Sequence, residues 1–557
     1  MEAVDQHSAA MKTIRNKAPY IVLLVLGYGL YLLRFGYGYG TSDQDEFIPF
    51  LYSLLNPAYF QNDWFVQTQL SAFSVRTYFV YLLYGLSIAM PVWLAVFVVY
   101  VASWASIASA VYQLADGLLK NRLSALISAG LVCIFTPFWT LGGNDLLHFV
   151  LVPSMTAWAL ALWAFVFYLR KDYTRAGLFA GIATLFQALV GLQVMLLVGG
   201  MLCLQFFQPH MAQGRRHHFM RVLTTTAVYA IVAAFALVPL FYQQFSAVSE
   251  TLSDTISETI SPTSSLFYIM AQFRNPHHYL FSAFDKVRLI KFFVVLLVGY
   301  LVLLAREKQE GSVRAGFFND MLVLVTGVCL VAYVGTEIMQ QLTIAKLQLF
   351  KMTLLVKALM VMLIADATVR VLPTRWANRL DQLCFNQPLR LAALFAVGFA
   401  GILIMQPDRL QQKVYPWRAS GDPEIQLARW AAKNTLPAEV FAVPPSWSAF
   451  RSHARRAIVI NHKAFPYQDT NIRTWFDRLQ DMAPLQLPEQ TDPTLLAALD
   501  FKYNTLTPHD LEELGITYSF DYIIRNAPLP AASSYSVEYE TQGWFVYKLS
   551  AQRLALQ

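Results

Sequence analysis

Charged side chains are scarce in this sequence, and their scarcity excludes an ordinary soluble protein. Only 14% of the 557 residues are Asp, Glu, Lys or Arg, whereas a soluble globular protein has about 25%. Hydrophobic residues make up 56% of the chain, and they gather in long apolar runs. Such runs are typical of helices that cross a lipid bilayer. The composition therefore predicts a polytopic membrane protein.

Cysteines are also few, and several well-known motifs are missing. The four cysteines (Cys133, Cys203, Cys329 and Cys384) lie within or beside apolar runs, so we expect free thiols and no disulfide framework. The sequence has no Walker phosphate loop, nucleophile elbow or zinc signature, which argues against an ATP-driven pump and a soluble-type hydrolase. It has no basic face interleaved with aromatic residues, which argues against a nucleic-acid partner.

The apolar runs predict a mainly α, polytopic membrane protein with about eleven transmembrane helices. Short loops rich in Lys and Arg face the cytoplasm, so we expect a cytoplasmic N-terminus and outer loops at 38–90 and 242–289. The predicted spans cover residues 19–35, 91–118, 123–141, a stretch ending at 169, two short spans within 176–207 that break near 187–193, then 222–241, 290–305, 317–335, 348–370 and 389–406.

A domain boundary is predicted near residue 406, because residues 407–557 have the composition of a soluble domain. Asp422 and Pro423 predict a helix start, with Asp422 as the N-cap and Pro423 in the first turn. Runs of β-branched and aromatic residues predict strands at 440–443, 457–461, 521–524 and 544–547. Strands alternating with helices predict a small extracytoplasmic α/β domain.

Three carboxylates, Asp43, Asp45 and Glu46, follow the first predicted span. Carboxylates at the mouth of a spanning helix are costly to desolvate, so they should face water, a cation or a polar substrate. In one interpretation they form a reaction site. A carboxylate there removes a proton from an acceptor hydroxyl, or Asp43 and Asp45 ligate a divalent cation such as Mg²⁺ or Mn²⁺. In the other, the loop is solvated and Ser42 or Asp43 caps the next helix.

Cationic side chains in two other segments suit an anionic ligand. Arg274, His277 and His278 lie in the 242–289 loop, and a guanidinium can bind a phosphate with two hydrogen bonds. Lys351 falls at the outer end of the tenth span, where a buried ammonium group suggests a functional site. The alternatives are a surface turn for the loop and snorkelling of Lys351 to the lipid headgroups.

Two further polar clusters are candidates. Asn144, Asp145 and His148 follow the third span, and they either complete a metal site with the acidic loop or form a polar turn that caps the fourth span. In the C-terminal domain, basic residues within 444–456 and 461–463 suit an anionic glycan or a lipid phosphate. The alternative for this second cluster is a solvated basic face.

The order of these parts resembles the GT-C superfamily of membrane glycosyltransferases, which use polyprenyl-phosphate-linked sugars. The likeness is to bacterial members with a protein mannosyltransferase-like or aminoarabinose transferase-like layout. It rests on Asp45-Glu46 after the first span, on Asn62-Asp63-Trp64 after the following apolar stretch, and on the small-residue run 176–187.

The resemblance implies sugar transfer from a polyprenyl-phosphate donor to an extracytoplasmic glycan, lipid or protein at a bacterial inner membrane. It gives Asp45 the role of general base, with Asp43 and Glu46 beside it. It assigns the donor phosphate to Arg274, His277, His278 and Lys351. A ligase for lipid-linked oligosaccharides, a flippase or transporter of lipid-linked sugars, and an inactive scaffold on the same fold are the alternatives.

Overall fold

The computed structural model describes residues 2–137, 139–143, 145–206, 215–254, 265–310, 315–405, 421–485, 494–530 and 534–549. Within these ranges the chain forms a helical membrane half and a C-terminal α/β domain. The helices of the membrane half are α1 (Glu2–Phe35), α2 (Ile48–Leu55), α3 (Trp64–Ser71), α4 (Thr77–Ala89), α5 (Val92–Leu119), α6 (Arg122–Gly130), α7 (Pro153–Leu169), α8 (Tyr173–Phe186), α9 (Ala188–Phe206), α10 (Arg215–Asp254), α11 (Pro276–Tyr279), α12 (Lys286–Glu310), α13 (Ala315–Tyr333), α14 (Leu342–Lys346), α15 (Thr353–Val371), α16 (Thr374–Asp381) and α17 (Pro388–Met405).

The apolar helices confirm the predicted class of a multi-pass, mainly helical membrane protein. In the described ranges, six stretches are long and apolar enough to cross a membrane: Val92–Leu119, Ala188–Gln205, His218–Gln243, Lys286–Lys308, Gly316–Ile338 and Leu342–Val371. Five shorter apolar helices accompany them: Pro19–Phe35, Thr77–Ala89, Arg122–Phe135, Pro153–Leu169 and Pro388–Gly398.

Burial separates a central helix from helices that face lipid. In the most apolar part of the 342–371 stretch, 83% of residues are buried, against 22% in the corresponding part of α12. Large apolar side chains of α12, among them Ile290 and Leu297, are exposed. Because lipid is the solvent for such side chains, α12 lies at the periphery of the bundle and α15 at its centre.

Two predicted boundaries change in the structure, and a third prediction is confirmed. The third helix ends in a π-helical turn at Phe135 instead of reaching Leu141, because Pro137 cannot continue it. The predicted outer loop 242–289 begins as helix, since α10 continues to Asp254. The prediction of two short helices within 176–207 is confirmed, because α8 and α9 are separated at Gln187.

The C-terminal domain is a mixed sheet with helices around it. Its helices are α18 (Pro423–Asn434), α19 (Phe450–Ala454), α20 (Asp469–Met482), α21 (Leu495–Thr505) and α22 (Pro508–Tyr518); its strands are β1 (Val440–Ala442), β2 (Ala457–Ile458), β3 (Tyr522–Arg525), β4 (Tyr535–Thr541) and β5 (Trp544–Leu549). The strand order is β2-β1-β3-β5-β4. Strand β1 is parallel to β2 and β3, and β5 is antiparallel to β3 and β4. The Asp422 cap is confirmed, since its carboxylate accepts from Glu424 N at 3.0 Å, whereas β4 was not predicted.

The two halves of the chain share an apolar interface. The π-helical turn Tyr268–Arg274, which belongs to the membrane half, places Phe273 in the core of the C-terminal domain. Its ring centroid lies 5.2 Å from that of Phe476 and 6.5 Å from that of Trp475. Lys346 and Asp469 add an ion pair across the same interface. The C-terminal domain is therefore packed directly on the ends of the membrane helices.

Helix α8 packs against α10 through glycine, and this gives a prediction for stability. A Cβ atom at Gly177 would overlap the backbone oxygen of Thr225 in α10, and a backbone atom cannot move aside as a flexible side chain can. Gly177→Ala should therefore destabilise the protein by roughly 1–3 kcal/mol, as overpacking typically does. The measurement is thermal unfolding of the detergent-purified protein.

Gly327→Ala is the matched control, because no described atom lies within 4 Å of a Cβ at that helical position. This variant should be neutral or slightly more stable, since alanine favours helix more than glycine does. Equal melting temperatures for Gly177→Ala and wild type would contradict the close α8–α10 contact.

Candidate functional site

The acidic loop, residues Gly36–Phe47, is held in one conformation by its own backbone contacts. Gly38 forms a parallel bridge with Val150. Gly40, with a φ of +72°, donates to Gln44 Oε1 at 2.5 Å. The three carboxylates then lie in or beside a single 3₁₀ turn, Ser42–Glu46. Side chains three residues apart lie on the same side of a 3₁₀ turn, so Asp43 and Glu46 share one side and Asp45 points away from it.

Each carboxylate of the acidic loop pairs with its own cation. Asp43 pairs with Lys463 and Glu46 pairs with Arg76. Asp45 Oδ2 accepts from Arg451 Nη1 at 2.8 Å and from Asn461 Nδ2 at 2.7 Å. Lys463, Arg451 and Asn461 all belong to the C-terminal domain. The basic stretches of that domain therefore bind the acidic loop, an outcome that neither interpretation of those stretches included.

Asp45 is fully buried, which separates it from any substrate in this conformation. Burial raises the pKa of Asp45 to about 6, although Arg451 and Asn461 oppose the rise. Its Oδ1 atom has no hydrogen-bond partner among the described residues, so that oxygen is available to hold a proton. The general-base role predicted for Asp45 stays a prediction, and the geometry gives it no support.

The predicted divalent cation does not fit the acidic loop. A metal shared by Asp43 and Asp45 would need their oxygens to converge, and instead each faces a different protein cation. Among the described residues, no group of three His, Cys, Asp or Glu side chains is arranged to hold a metal ion. The acidic loop is therefore not arranged as a metal site.

Asp43 is the carboxylate of the loop that is open to solvent. Its side chain is 41% exposed, against 0% for Asp45 and 13% for Glu46. Burial alone would raise the pKa of Asp43, but Lys463, with smaller contributions from His148 and His278, holds it well below its usual range. Lys351, in the 3₁₀ turn Leu349–Met352 that precedes α15, also interacts electrostatically with Asp43.

The sequence candidates Arg274, His277 and His278 lie at one place. Arg274 Nη2 donates to the backbone oxygen of Lys463 at 2.9 Å, and His278 Nδ1 lies 2.6 Å from the oxygen of Gly142. Because a carbonyl only accepts, His278 Nδ1 must carry the proton. Burial lowers the pKa of His277 to about 4 and that of His278 well below its usual range. Both imidazoles are thus neutral at pH 7, so they act there as hydrogen-bonding groups and not as cations.

A cavity of about 1260 Å³ opens beside these groups, between the membrane half and the C-terminal domain. Its lining includes three cations, Arg274, Arg288 and Lys463. The imidazoles of His277, His278 and His462 also line it, as do the carboxylates Asp285 and Glu337. The ligand that such a cavity fits is polar and carries an anionic group.

The second predicted cluster separates in the structure. Asn144 lies outside the described residues. Asp145 is buried, accepts from Thr140 Oγ1 at 3.1 Å and lies 3.9 Å from the ammonium of Lys357 in α15. The prediction that Asp145 joins a metal site with the acidic loop is therefore wrong, because its carboxylate turns towards the helix bundle. His148 does contribute to the electrostatic environment of Asp43.

Sequence reasoning placed Arg451 and Lys463 in a basic cluster for an anionic ligand, and it cited Asp63 only in the family resemblance; it did not connect any of the three with the acidic loop. Asp63 caps α3 by accepting from Val66 N at 3.0 Å, and its Oδ2 atom accepts from Arg451 Nε at 2.8 Å. Complementary charge was the available signal, since an acidic segment at 43–46 is matched by a basic one at 451–463. This complementarity does not align the two segments residue by residue, so it does not predict which acidic side chain pairs with which basic one.

Comparison with known families and structures adds the following. Residues 422–482 match a family described as "Domain of unknown function (DUF6798)", and this segment contains Arg451, Asn461 and Lys463. The match covers only a small part of the chain. No curated protein matches.

Several solved structures are similar over nearly the whole chain. An Archaeoglobus fulgidus oligosaccharyltransferase, tethered to an acceptor peptide, is 13% identical with a TM-score of 0.47, covering 96% of this chain and 74% of its own. The same organism's AglB, in complex with an inhibitory peptide and a dolichol-phosphate, is 11% identical with a TM-score of 0.48. The match covers 97% of this chain and 74% of AglB. ArnT from Cupriavidus metallidurans, bound to undecaprenyl phosphate, is 12% identical with a TM-score of 0.48. The match covers 96% of this chain and 98% of ArnT.

At TM-scores below 0.5 these likenesses carry no argument for this chain. Its own helices and sheet define its class, a multi-pass membrane protein with an α/β domain packed on one end of the bundle. Every further step towards an activity rests on the residues around Asp43.

The raised pKa of Asp45 predicts a pH-dependent stability. Because the folded protein keeps this proton to a higher pH than the unfolded chain, the contribution of Asp45 to the free energy of unfolding decreases as the pH rises through 4 to above 6. Asp45→Asn removes that decrease. The melting temperature of the variant minus that of wild type should therefore become more positive between about pH 5 and pH 7.5.

Asp43→Asn is the control for this measurement. The pKa of Asp43 is already well below its usual range, so Asp43 is ionised in the folded and the unfolded protein throughout the same pH interval. Its melting-temperature difference should stay constant. A constant difference for Asp45→Asn as well would mean that Asp45 is ionised throughout.

Proposed function

We propose that this protein is a membrane glycosyltransferase that moves a sugar from a polyprenyl-phosphate donor to a hydroxyl of an acceptor at the cavity beside Asp43. The observation that carries the proposal is the grouping around one accessible carboxylate. Asp43 comes from the acidic loop, Lys351 from the start of α15, Arg274 and His278 from the segment after α10, and Lys463 from the C-terminal domain.

This grouping suits both halves of a glycosyl transfer. The acceptor oxygen bonds to the anomeric carbon of the sugar while the bond from that carbon to the phosphate oxygen breaks. Negative charge then develops on the departing phosphate, where fixed cations stabilise the transition state most. Arg274, Lys351 and Lys463 would supply that charge, and the neutral His277 would add a hydrogen bond. His278 already donates its Nδ1 proton to Gly142.

We assign the proton of the acceptor hydroxyl to Asp43 rather than to Asp45. Asp43 is exposed and Asp45 has no exposure, and a general base must come within hydrogen-bond reach of the proton that it removes. An ion pair between partly exposed groups is weak, so a donor phosphate can draw the ammonium of Lys463 away from Asp43. The pKa of Asp43 would then rise, which makes it a stronger base once the donor is bound.

The position of the cavity suits a donor with a lipid tail. Helix α12 begins directly after the cavity residue Phe284 and exposes apolar side chains along its length. The polyprenyl chain would lie in lipid along this helix while its phosphate meets the cations.

The charges at the far end of the bundle support the orientation that we propose. Arg306 contacts Asp366 and the end of α5, and Arg122 pairs with Asp381. By the positive-inside rule this end faces the cytoplasm, which puts the cavity and the C-terminal domain on the extracytoplasmic side. A bacterial inner membrane is the setting that we propose.

The test is turnover of a panel of polyprenyl-phosphate sugars by detergent-purified protein, with release of polyprenyl phosphate as the readout. Asp43→Asn should lower turnover by about 100-fold or more, the usual contribution of a general base, and leave donor binding within a few-fold of wild type. Asp45→Asn is the matched variant two residues away, and it should keep measurable turnover.

The other outcomes separate the alternatives. If Asp45→Asn loses turnover while Asp43→Asn stays active, the general base is Asp45 and not Asp43. Full activity in both variants would contradict catalysis by this loop. Tight donor binding without release, whatever acceptor is present, would favour a flippase of lipid-linked sugars or an inactive scaffold.

A further inference from the structure

Arg451 is a fully buried cation that lies between two carboxylates of the membrane half. Its side chain and those of Asp45 and Asp63 have no solvent exposure. Arg451 Nη1 donates to Asp45 and Nε donates to Asp63, both at 2.8 Å. The guanidinium also lies 5.5 Å from the centre of the Phe65 ring. One residue of the C-terminal domain therefore joins two turns of the membrane half, 18 positions apart in the sequence.

Neighbouring contacts hold this group from the side of the C-terminal domain. Asn461 donates to Asp45 and to the oxygen of Trp447, both at 2.7 Å, and accepts from Ala464 N at 3.0 Å. The backbone nitrogen of Ile458 donates to Asp63 at 3.0 Å. Helix α19, which carries Arg451, and residues 458–461, which begin at the end of β2, therefore hold the same two carboxylates.

The acidic loop is also fixed on the other side of Asp43. Ser448 Oγ accepts from Ser42 N at 3.2 Å and lies 3.4 Å from Thr41 Oγ1. Ser448 lies just before α19, so the contacts on both sides of Asp43 come from one segment of the C-terminal domain. This segment falls within residues 422–482, the part that matches the domain of unknown function.

The charges of this group are not balanced. One guanidinium faces two carboxylates, and Asp45 Oδ1 and Arg451 Nη2 both lack hydrogen-bond partners among the residues that the structure describes. Buried ion pairs of this kind are weak evidence for stability and better evidence for a fixed arrangement. The arrangement fixed here is that of the loop carrying Asp43.

We propose that Arg451 is a positioning residue, which docks the C-terminal domain on the acidic loop and thereby holds Asp43 against Lys463, a residue of the cavity lining. Its effect on sugar transfer rests on the proposed function, whereas its effect on the loop does not. The C-terminal domain is, on this view, a part of the reaction site.

A cysteine pair measures the docking without any substrate. Thr41→Cys with Ser448→Cys should form a disulfide under mild oxidation, because the two hydroxyl oxygens lie 3.4 Å apart. In this background, Arg451→Lys should lose most of the crosslink. A single ammonium cannot reproduce the fork with which the guanidinium reaches Asp45 and Asp63 together.

In the enzyme without the added cysteines, Arg451→Lys should lower kcat by about 100-fold, the cost of a misplacement of roughly 1 Å, with the donor KM unchanged.

Arg525→Lys is the control for a purely structural effect. Arg525 is also a buried arginine of the C-terminal domain, but it donates to the backbone oxygens of Leu506 and Asn504 within that domain. It should keep the crosslink and kcat even if its melting temperature falls as far as that of Arg451→Lys. Equal losses in both variants would overturn the proposal, as would an unchanged crosslink in Arg451→Lys.

A second variant covers the case in which Arg451→Lys does not fold. Arg451→Gln combined with Asp63→Asn keeps the formal charge of the group at −1, since one cation and two carboxylates become no cation and one carboxylate. It should fold and still lose the crosslink; a retained crosslink would overturn the proposal. If the cysteine-pair protein with Arg451 intact forms the crosslink while the protein transfers no sugar from any donor, the proposed function fails. In that case the crosslink alone decides whether Arg451 positions the loop.

Discussion

The acidic loop depends on one interaction, the buried contact of Arg451 with Asp45 and Asp63. Moving any of these charges out of water costs several kcal/mol, and the cost is offset only while the partners stay together. The contact joins residues that are 406 positions apart in the sequence. Separation of the C-terminal domain from the membrane half would therefore break both ion pairs of Arg451 at once. The two parts form one electrostatic unit, although their compositions differ as much as those of separate proteins.

Most of the fold could be predicted because lipid imposes a simple rule on the sequence. A spanning helix needs a long apolar run, so α5, α12, α13 and α15 are visible as such. The break at Gln187 was visible too, because two short spans were needed to keep the basic residues after 207 on the cytoplasmic side. Helix ends were harder. The extension of α10 to Asp254 runs through a Ser- and Thr-rich stretch that has no apolar pattern. Strand β4 lies at the edge of the sheet and is mostly exposed, with only its first residue, Tyr535, buried, and such a strand has little hydrophobic signal.

The candidate site could be predicted by residue type but not by pairing. Asp43 and Lys351 were identified because charge near a membrane is costly, and Arg274 and His278 because such groups suit a phosphate; the structure brings the four together. The cost of charge does not distinguish Asp43 from Asp45, and the family resemblance gave the general-base role to Asp45. Arg451 distinguishes the two carboxylates, because it binds Asp45. A single sequence does not reveal this pairing, since nothing local to α19 indicates that the guanidinium of Arg451 points towards the membrane half. Asp145 was misplaced for the same reason, because its partner Lys357 lies in another helix.

Burial divides the acidic loop into a structural part and a reactive part. Asp45 and Glu46 lie against buried arginines, so they stay fixed and are shielded from solvent. Asp43 pairs with a lysine that, like itself, is partly exposed, and such a pair can exchange partners at little cost. A reacting group must be accessible and held in place at once. Here the rigidity comes from the neighbours of Asp43 in the chain, so Asp43 itself needs no buried contact. The burial of Asp45, which at first argues against a reaction site in this loop, is thus what allows the exposed Asp43 to have a defined position.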